Sequence, residues 1–338
     1  MSTQDARPAS ATPTRRRGSV RRTTTHDSLR PGGLLGPVTV MARGRDLRTA
    51  PDGGSTVLGT ARLDLEVGHP QRLVRRIAGD PSHPGLPALA GVAVSAGFRQ
   101  AVDAAMPGER TSRSVRFQLL DDLPTALLVS GYAVQAAGAH RSRPKLTLQY
   151  PDLCAGWVAG GTLVSGFAGT GKIPVHVGPH APSVDSDDPL GWHTFDLLPP
   201  HGMRRRRRLD VWREGEIAAV ECFFRDSHVD DDGVETIVHE YTVHATVDPA
   251  TRRFLSCEAD IGALPWPECP AAAASATRLA GEAAEGLRGR VRDTFVGPST
   301  CTHLNDTLRS LEDVMALLER VDDAQEQVRT RPTGGLAS

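Results

Sequence analysis

Ile217-Ala-Ala-Val-Glu-Cys-Phe-Phe224 and His239-Glu-Tyr-Thr-Val-His-Ala-Thr-Val247 flank the tripeptide Asp231-Asp232-Gly233, and this stretch decides the fold. Both outer runs are rich in β-branched and aromatic residues, and Asp-Asp-Gly between them is a turn signal, so a β-hairpin is predicted. After the Asp248-Pro249 turn, Phe254–Leu264 supplies a third apolar, strand-like run. Ala271–Ala283 then reads as an Ala-rich helix and Gly286–Phe295 as a short amphipathic piece. Asn305–Val321 places Leu308, Leu311, Val314, Leu317 and Leu318 at helical spacing. Three strands followed by helices predict an α+β layout, with helices on one face of an antiparallel sheet.

Working outward, an earlier stretch repeats this order. Val38–Arg45-Asp46 falls on Ile217–Arg225-Asp226, Leu89-Ala90-Gly91 on Leu279-Ala280-Gly281, and Arg21-Arg22 on Arg207-Arg208. Phe117-Gln-Leu-Leu-Asp-Asp122 falls on Cys301-Thr-His-Leu-Asn-Asp306. The expected fold is therefore two tandem degenerate copies of a three-stranded antiparallel sheet followed by helices, joined by a Gly/Pro-rich insertion. The expected boundaries are a disordered arm (1–17), a degenerate first copy (18–135), a linker or insertion (136–200), a second copy carrying the chemistry (201–325) and a flexible tail (326–338). The arm is Ser/Thr/Pro/Arg-rich and offers little apolar surface to offset the entropy of ordering it. Within the insertion, Leu146–Leu148 and Val175–Val177 are short apolar pieces.

Bulk properties narrow the function. With 338 residues, 39% of them hydrophobic, the chain can bury one large core or two modest ones. A formal net charge of −1 argues against nucleic acid or an acidic membrane as a whole-surface partner. No apolar run of about 18 residues is present, so no membrane span is expected. Five cysteines, an odd number in a chain this long, do not resemble a disulfide framework, and residues 1–30 hold no apolar core of a signal peptide. A cytoplasmic protein with reduced thiols is the expectation.

The comparison of copies singles out candidates for chemistry. Cys301 and His303 stand where the first copy has Phe117 and Leu119, and Cys269 has no counterpart there. His239, Cys269, Cys301 and His303, supported by Glu221 or Asp226, form a donor set suited to zinc or iron, since thiolate and imidazole are preferred ligands of both. Cys269 and Cys301 each precede a predicted helix, a position that lowers a thiol pKa. The plain alternative is that both are small buried hydrophobes. In a regular strand His239 and His244 point to opposite faces, so only one of them joins the site. Cys222 and Cys257 lie inside strand-like runs and read as core.

Three other motifs carry weaker signals. Gly166-Phe-Ala-Gly-Thr-Gly-Lys172 has the spacing of a phosphate-binding loop, but Ile173-Pro174 follows where a helix should begin, so a flexible connection is the better reading. The five guanidinium groups of Arg204–Arg208 lack interleaved aromatics and read as a solvated strand edge, or as partners of Asp210, Glu214 and Glu216. Asp152-Leu-Cys154-Ala-Gly-Trp157 and Asp187-Asp188-Pro-Leu-Gly-Trp192-His193 pair carboxylates with Trp, Cys or His, a composition that turns also produce.

Arg207-Arg208, Glu221 with Asp226, His239-Glu240, Cys269 and Cys301-Thr-His303-Leu resemble the bacterial domain-of-unknown-function family 2889, over roughly 203–320 and more weakly over the first copy. That resemblance implies no particular reaction. The same order of residues also looks like the NifU/SufU-type iron–sulfur scaffold, which would implicate His239, Cys269 and Cys301 as ligands. The chain departs from that pattern with His239 in place of a carboxylate and Ile237 in place of a cysteine. The sequence thus leaves three functional readings: a zinc or iron protein with hydrolytic, lyase or metal- and sulfur-handling chemistry, a thiol-nucleophile enzyme, and a non-catalytic interaction module. Its partner, a small molecule or a protein, is left unidentified.

Overall fold

The computed structural model describes residues 6–139, 151–184 and 187–329, without the side chains of 323–329. Eight antiparallel strands form one sheet in the order β4-β3-β2-β1-β5-β6-β7-β8. The first half supplies β1 (Ser19–Leu29), β2 (Val38–Thr49), β3 (Ser55–Val67) and β4 (Val74–Asp80). These are followed by a 3-10 turn at Leu86–Leu89 and helices α1 (Phe98–Ala105), α2 (Pro107–Ser112), α3 (Val115–Val129) and α4 (Gly131–Ala136). The connecting segment holds a 3-10 turn at Ala155–Trp157 and helix α5 (Thr162–Thr170).

The second half runs through the same order. It contains β5 (Met203–Glu214), β6 (Ile217–Val229), β7 (Glu235–Asp248) and β8 (Arg253–Ala263), then a 3-10 helix at Cys269–Leu279. Helices α6 (Leu287–Thr294), α7 (Thr302–Ser310) and α8 (Val314–Arg329) follow, with a single 3-10 turn at Leu311–Asp313 between the last two. The mixed α and β layout and the antiparallel sheet agree with the expectation; the strand count does not. Each half has four strands, not three, and the halves share one sheet because β1 pairs with β5.

The pairing of β1 with β5 overturns the solvated-edge reading of Arg204–Arg208. Their strand lies in the middle of the sheet, not at an edge, and all five arginines are buried. Successive side chains alternate between faces, and both faces are lined with carboxylates. On the helix face, Arg205 binds Asp226 and Asp306, while Arg207 binds Asp122 and Asp306. On the other face, Arg204 binds Asp27, Arg206 binds Glu235, and Arg208 binds Asp210 and Glu221. Of the acidic residues expected from the neighbouring sequence only Asp210 is a partner; the rest come from elsewhere in the chain.

The pairs are reciprocal across the β1–β5 seam. Arg21 faces Asp210 and Asp27 faces Arg204 in the ladder, and each arginine grips its carboxylate through Nε and one Nη at 2.6–2.9 Å. One strand further out, Arg22 opposes Asp46 in the first half as Arg205 opposes Asp226 in the second. This geometry aligns Arg21-Arg22 with Arg204-Arg205, three residues from the register read off the sequence, and leaves Asp46 on Asp226 as read. The apolar cores are likewise built half by half, one around Val40, Leu63, Phe98 and Leu120, the other around Val220, Phe224, Val243, Leu304 and Leu317.

Residues 6–17, assigned to a disordered arm, instead run along the sheet face opposite the helices, although they form no helix or strand. Glu240 accepts a bond from the Ala9 amide and the Ala9 carbonyl accepts one from Arg225, while Arg15 pairs with Asp188 and the Thr12 hydroxyl binds the Val184 carbonyl. The 187–196 segment covers the same face: His193 lies between the Thr23 and Thr25 hydroxyls, and Phe195 packs under Arg204. Residues 187–196 of the insertion thus form a covering layer rather than a linker. The insertion's phosphate-loop-like motif falls mostly inside α5, whose helix ends at Gly171, so the motif forms neither a phosphate cradle nor a flexible connection. Leu146–Leu148, residues 1–5 of the arm and residues 330–338 of the tail lie outside the described residues. Among the described residues no helix is long and apolar enough to cross a membrane.

Candidate metal centre

Asp226 and His239 face each other across the β6–β7 ladder, immediately beside a register shift that leaves Val238 without a partner opposite. A β-bulge of this kind re-aims the side chain next to it and is common beside functional sites. His239 shares its face with Tyr241 and Val243, both fully buried against the helices. The first turn of α7 then lowers His303 onto the pair. The two imidazole rings stack with centroids 3.6 Å apart, and donor atoms of Asp226, His239 and His303 lie within 4.8 Å of one another. His244, on the opposite face, is half exposed and pairs with Asp260.

The protonation states suit metal binding. Burial, then the neighbouring His303 ring, holds His239 well below the usual imidazole range. His303 is pushed down to about 3, first by burial and then by Arg205. Both rings are therefore neutral near pH 7 and present lone pairs. His239 Nδ1 and His303 Nε2 are buried with no hydrogen-bond partner in the protein, an arrangement that is costly unless something fills it. Asp226 is held at both oxygens by Arg205 at 2.9 Å, and Arg205 in turn binds Asp306. A carboxylate offers about four lone-pair sites, so Asp226 keeps capacity for a further ligand. Two neutral imidazoles and a carboxylate fit zinc or iron.

The cysteines form an adjoining group. Cys301 stands at the N-cap position of α7 without a side-chain capping bond, and its sulfur lies 3.8 Å from His303 Nδ1. Cys269, Cys154 and the Tyr241 hydroxyl surround that thiol. Gly156 comes so close that a Cβ there would lie 2.9 Å from Cys269 Sγ, which is why this position of the insertion is glycine. Of the five residues anticipated as ligands, three converge, Cys301 touches one of them, and Cys269 lies one step further away. Glu221 binds Arg208 on the opposite face of the sheet and is not part of the group. Cys154, Tyr241 and Arg205 also belong to the neighbourhood, although the sequence does not place any of them in the ligand group. Arg205 was hidden in the arginine run, and only the Asp152–Trp157 motif pointed toward Cys154.

The expected thiolates are not found. Cys269 opens a 3-10 helix and Cys301 an α-helix, but burial outweighs the terminal dipole, pushing Cys269 up to about 12 and Cys301 up to about 11. Iodoacetamide labelling of the metal-free native chain near neutral pH is expected to leave both cysteines unmodified, with full labelling only in denaturant. Rapid labelling of either in the native state contradicts this geometry. Cys222 and Cys257 lie in the apolar core, as read from the sequence.

The first half lacks the site although it retains its frame. Asp46 is paired with Arg22 as Asp226 is with Arg205, and it sits beside the same kind of register shift, but the residue opposite it in the ladder is Gly59, not histidine. No curated protein and no solved structure matches the chain. Residues 203–317, which include the whole of the Asp226–His239–His303 group, match the family described as Protein of unknown function (DUF2889).

Proposed function

We propose that the protein is a degenerate duplication whose second half binds one zinc or iron ion through His239, His303 and Asp226, with Cys301 at the margin of the site. The observation that carries this reading is the convergence of the three donors within 4.8 Å, with one ring nitrogen of each histidine buried and unpartnered. A bound ion would supply Lewis acidity, and three protein ligands leave a coordination position for water or substrate. Hydrolytic or lyase chemistry follows from such a site more readily than iron–sulfur cluster assembly, because the thiols stand outside the group of three. Here Arg205 orients Asp226 as a buried outer partner, a role that commonly tunes metal affinity. The thiol-enzyme reading has less support, since a buried thiol at about 11 beside an imidazole at about 3 is a poor ion pair.

Elemental analysis of protein purified without an affinity tag tests the proposal. Near-stoichiometric zinc or iron is expected, lost in His239→Ala and His303→Ala and retained in His244→Ala. Absence of both metals from the unaltered protein, after reconstitution with either, overturns it.

A further inference from the structure

A cavity of about 560 Å³ opens between the helices of the two halves, and none of the three proposed metal ligands lines it. Its walls carry Arg72, Arg99 and Arg309, the first turn of α1 through Gln100, and an apolar side formed by Phe117 and Leu128. We propose that this cavity binds a small organic anion, a carboxylate or phosphate ester with an apolar body.

Three observations point to an anion. First, six arginines line the cavity against only two aspartates, Asp103 and Asp121. Five of the six have acidic partners, some from outside the lining: Arg288 binds Asp121 and Asp313, Arg309 binds Asp121, Arg99 binds Asp121 and Asp306, Arg110 binds Asp103, and Arg292 binds Asp293. Arg72 is half-buried and has no carboxylate partner among the described residues, so a cation is held here without its counter-ion. Second, Arg309 is 8% exposed, and its Nε lacks any hydrogen-bond partner although its Nη atoms bind the Arg288 carbonyl and Asp121. Third, α1 begins at the cavity wall behind Gly97 with no side chain capping it; the Ser95 carbonyl takes the Phe98 amide, and the positive end of the helix dipole lies at the cavity wall.

Size and apolar lining define the rest of the ligand. The volume lies in the range of small-molecule sites, far more than a lone inorganic anion fills. Leu128, 48% exposed, and Phe117 present a surface for an aromatic or acyl portion. The inference does not depend on the metal centre, although an ion-pair path joins the two. Arg99 binds Asp306, Asp306 binds Arg205, and Arg205 binds Asp226.

Calorimetric titration of the full chain with benzoate, phenyl phosphate and neutral benzyl alcohol tests the proposal. Saturable one-to-one binding of at least one anion is expected, with none for benzyl alcohol, and comparison of the two anions separates a carboxylate from a phosphate ester. In Arg72→Gln the affinity should fall about tenfold, the effect of losing one charged hydrogen bond. Gln100→Glu should weaken binding similarly without lowering the thermal midpoint, because a carboxylate in the first turn of a helix is itself favourable. Metal content should be unchanged in both variants, which keeps failure here distinct from failure of the metal reading. The proposal is overturned if neither anion binds at millimolar concentration, or if binding is unaffected by both substitutions.

Discussion

Replacing Arg204 with Met is expected to destabilise the fold by about 3–5 kcal/mol, the cost of leaving a buried carboxylate without its counter-ion. Asp27 is 3% exposed, and Arg204 is its only ion-pair partner among the described residues. The reciprocal substitution, Arg21→Met, should cost less, because Asp210 keeps Arg208 at 2.8 Å. Equal losses for the two would mean that the reciprocal pairs do not act as separate ion pairs. The double substitution Arg204→Met with Asp27→Leu should recover most of the loss, since apolar groups of similar volume often replace a buried pair without penalty. Unfolding midpoints in guanidinium for the three variants decide the matter. A loss of that size is a large part of the roughly 5–15 kcal/mol that holds a domain folded.

These pairs also mark the limit of what the sequence reveals. Ile217–Val229, Glu235–Asp248 and Arg253–Ala263 could be read from local pattern because their inward residues are apolar. Met203–Glu214 could not, because five adjacent arginines are compatible with burial only when carboxylates arrive from distant parts of the chain. Asp27 is separated from Arg204 by 177 residues and Asp306 from Arg205 by 101. No local window contains that information. Reading that strand as solvated leaves only three strands in the second half.

The metal ligands were more legible than their environment. His303 is legible because the first half has Leu119 where it falls, whereas His239 and Asp226 are legible only as ligand-type residues on strand-like runs, and the Gly59 that stands opposite Asp46 in the first half is visible only in the ladder. Cys269 joins them in the sequence through its residue type, its absence from the first copy and its place before a predicted helix, none of which reports distance. Its actual position depends on where the 3-10 helix of Cys269–Leu279 meets Gly156 in the insertion, and no periodicity encodes that approach. The same ignorance of burial reversed the expectation for the thiols. A helix terminus contributes a modest stabilisation of negative charge, whereas full burial disfavours the thiolate by more.

Burial of neutral imidazoles should make the protein acid-labile between about pH 6.5 and 4, a loss that begins above the ordinary carboxylate range. His303 and His193 are pushed down to about 3 and His228 to about 4, with burial the leading cause in each. His26 and His239 are lowered in the same direction. In the unfolded chain these groups take up protons near 6.5, whereas in the folded state they do so only at lower pH. The unfolded state therefore binds more protons throughout that window, and stability falls as pH falls, by up to about 1.4 kcal/mol per pH unit for each such histidine. Asp306 acts in the opposite sense: its carboxyl is raised, by burial first and then by Asp122, so its protonation in the fold offsets part of the loss at the acid end. With chelator present, the thermal midpoint should drop steadily from neutral pH toward about pH 4.5. His193→Gln should flatten the slope by about one proton while leaving metal content intact, because His193 contacts Thr23 and Thr25 on the sheet face opposite the metal group. A midpoint that stays flat across the window would show that these rings are protonated in the fold, and the same result would remove the neutral imidazoles on which metal binding at His239 and His303 depends.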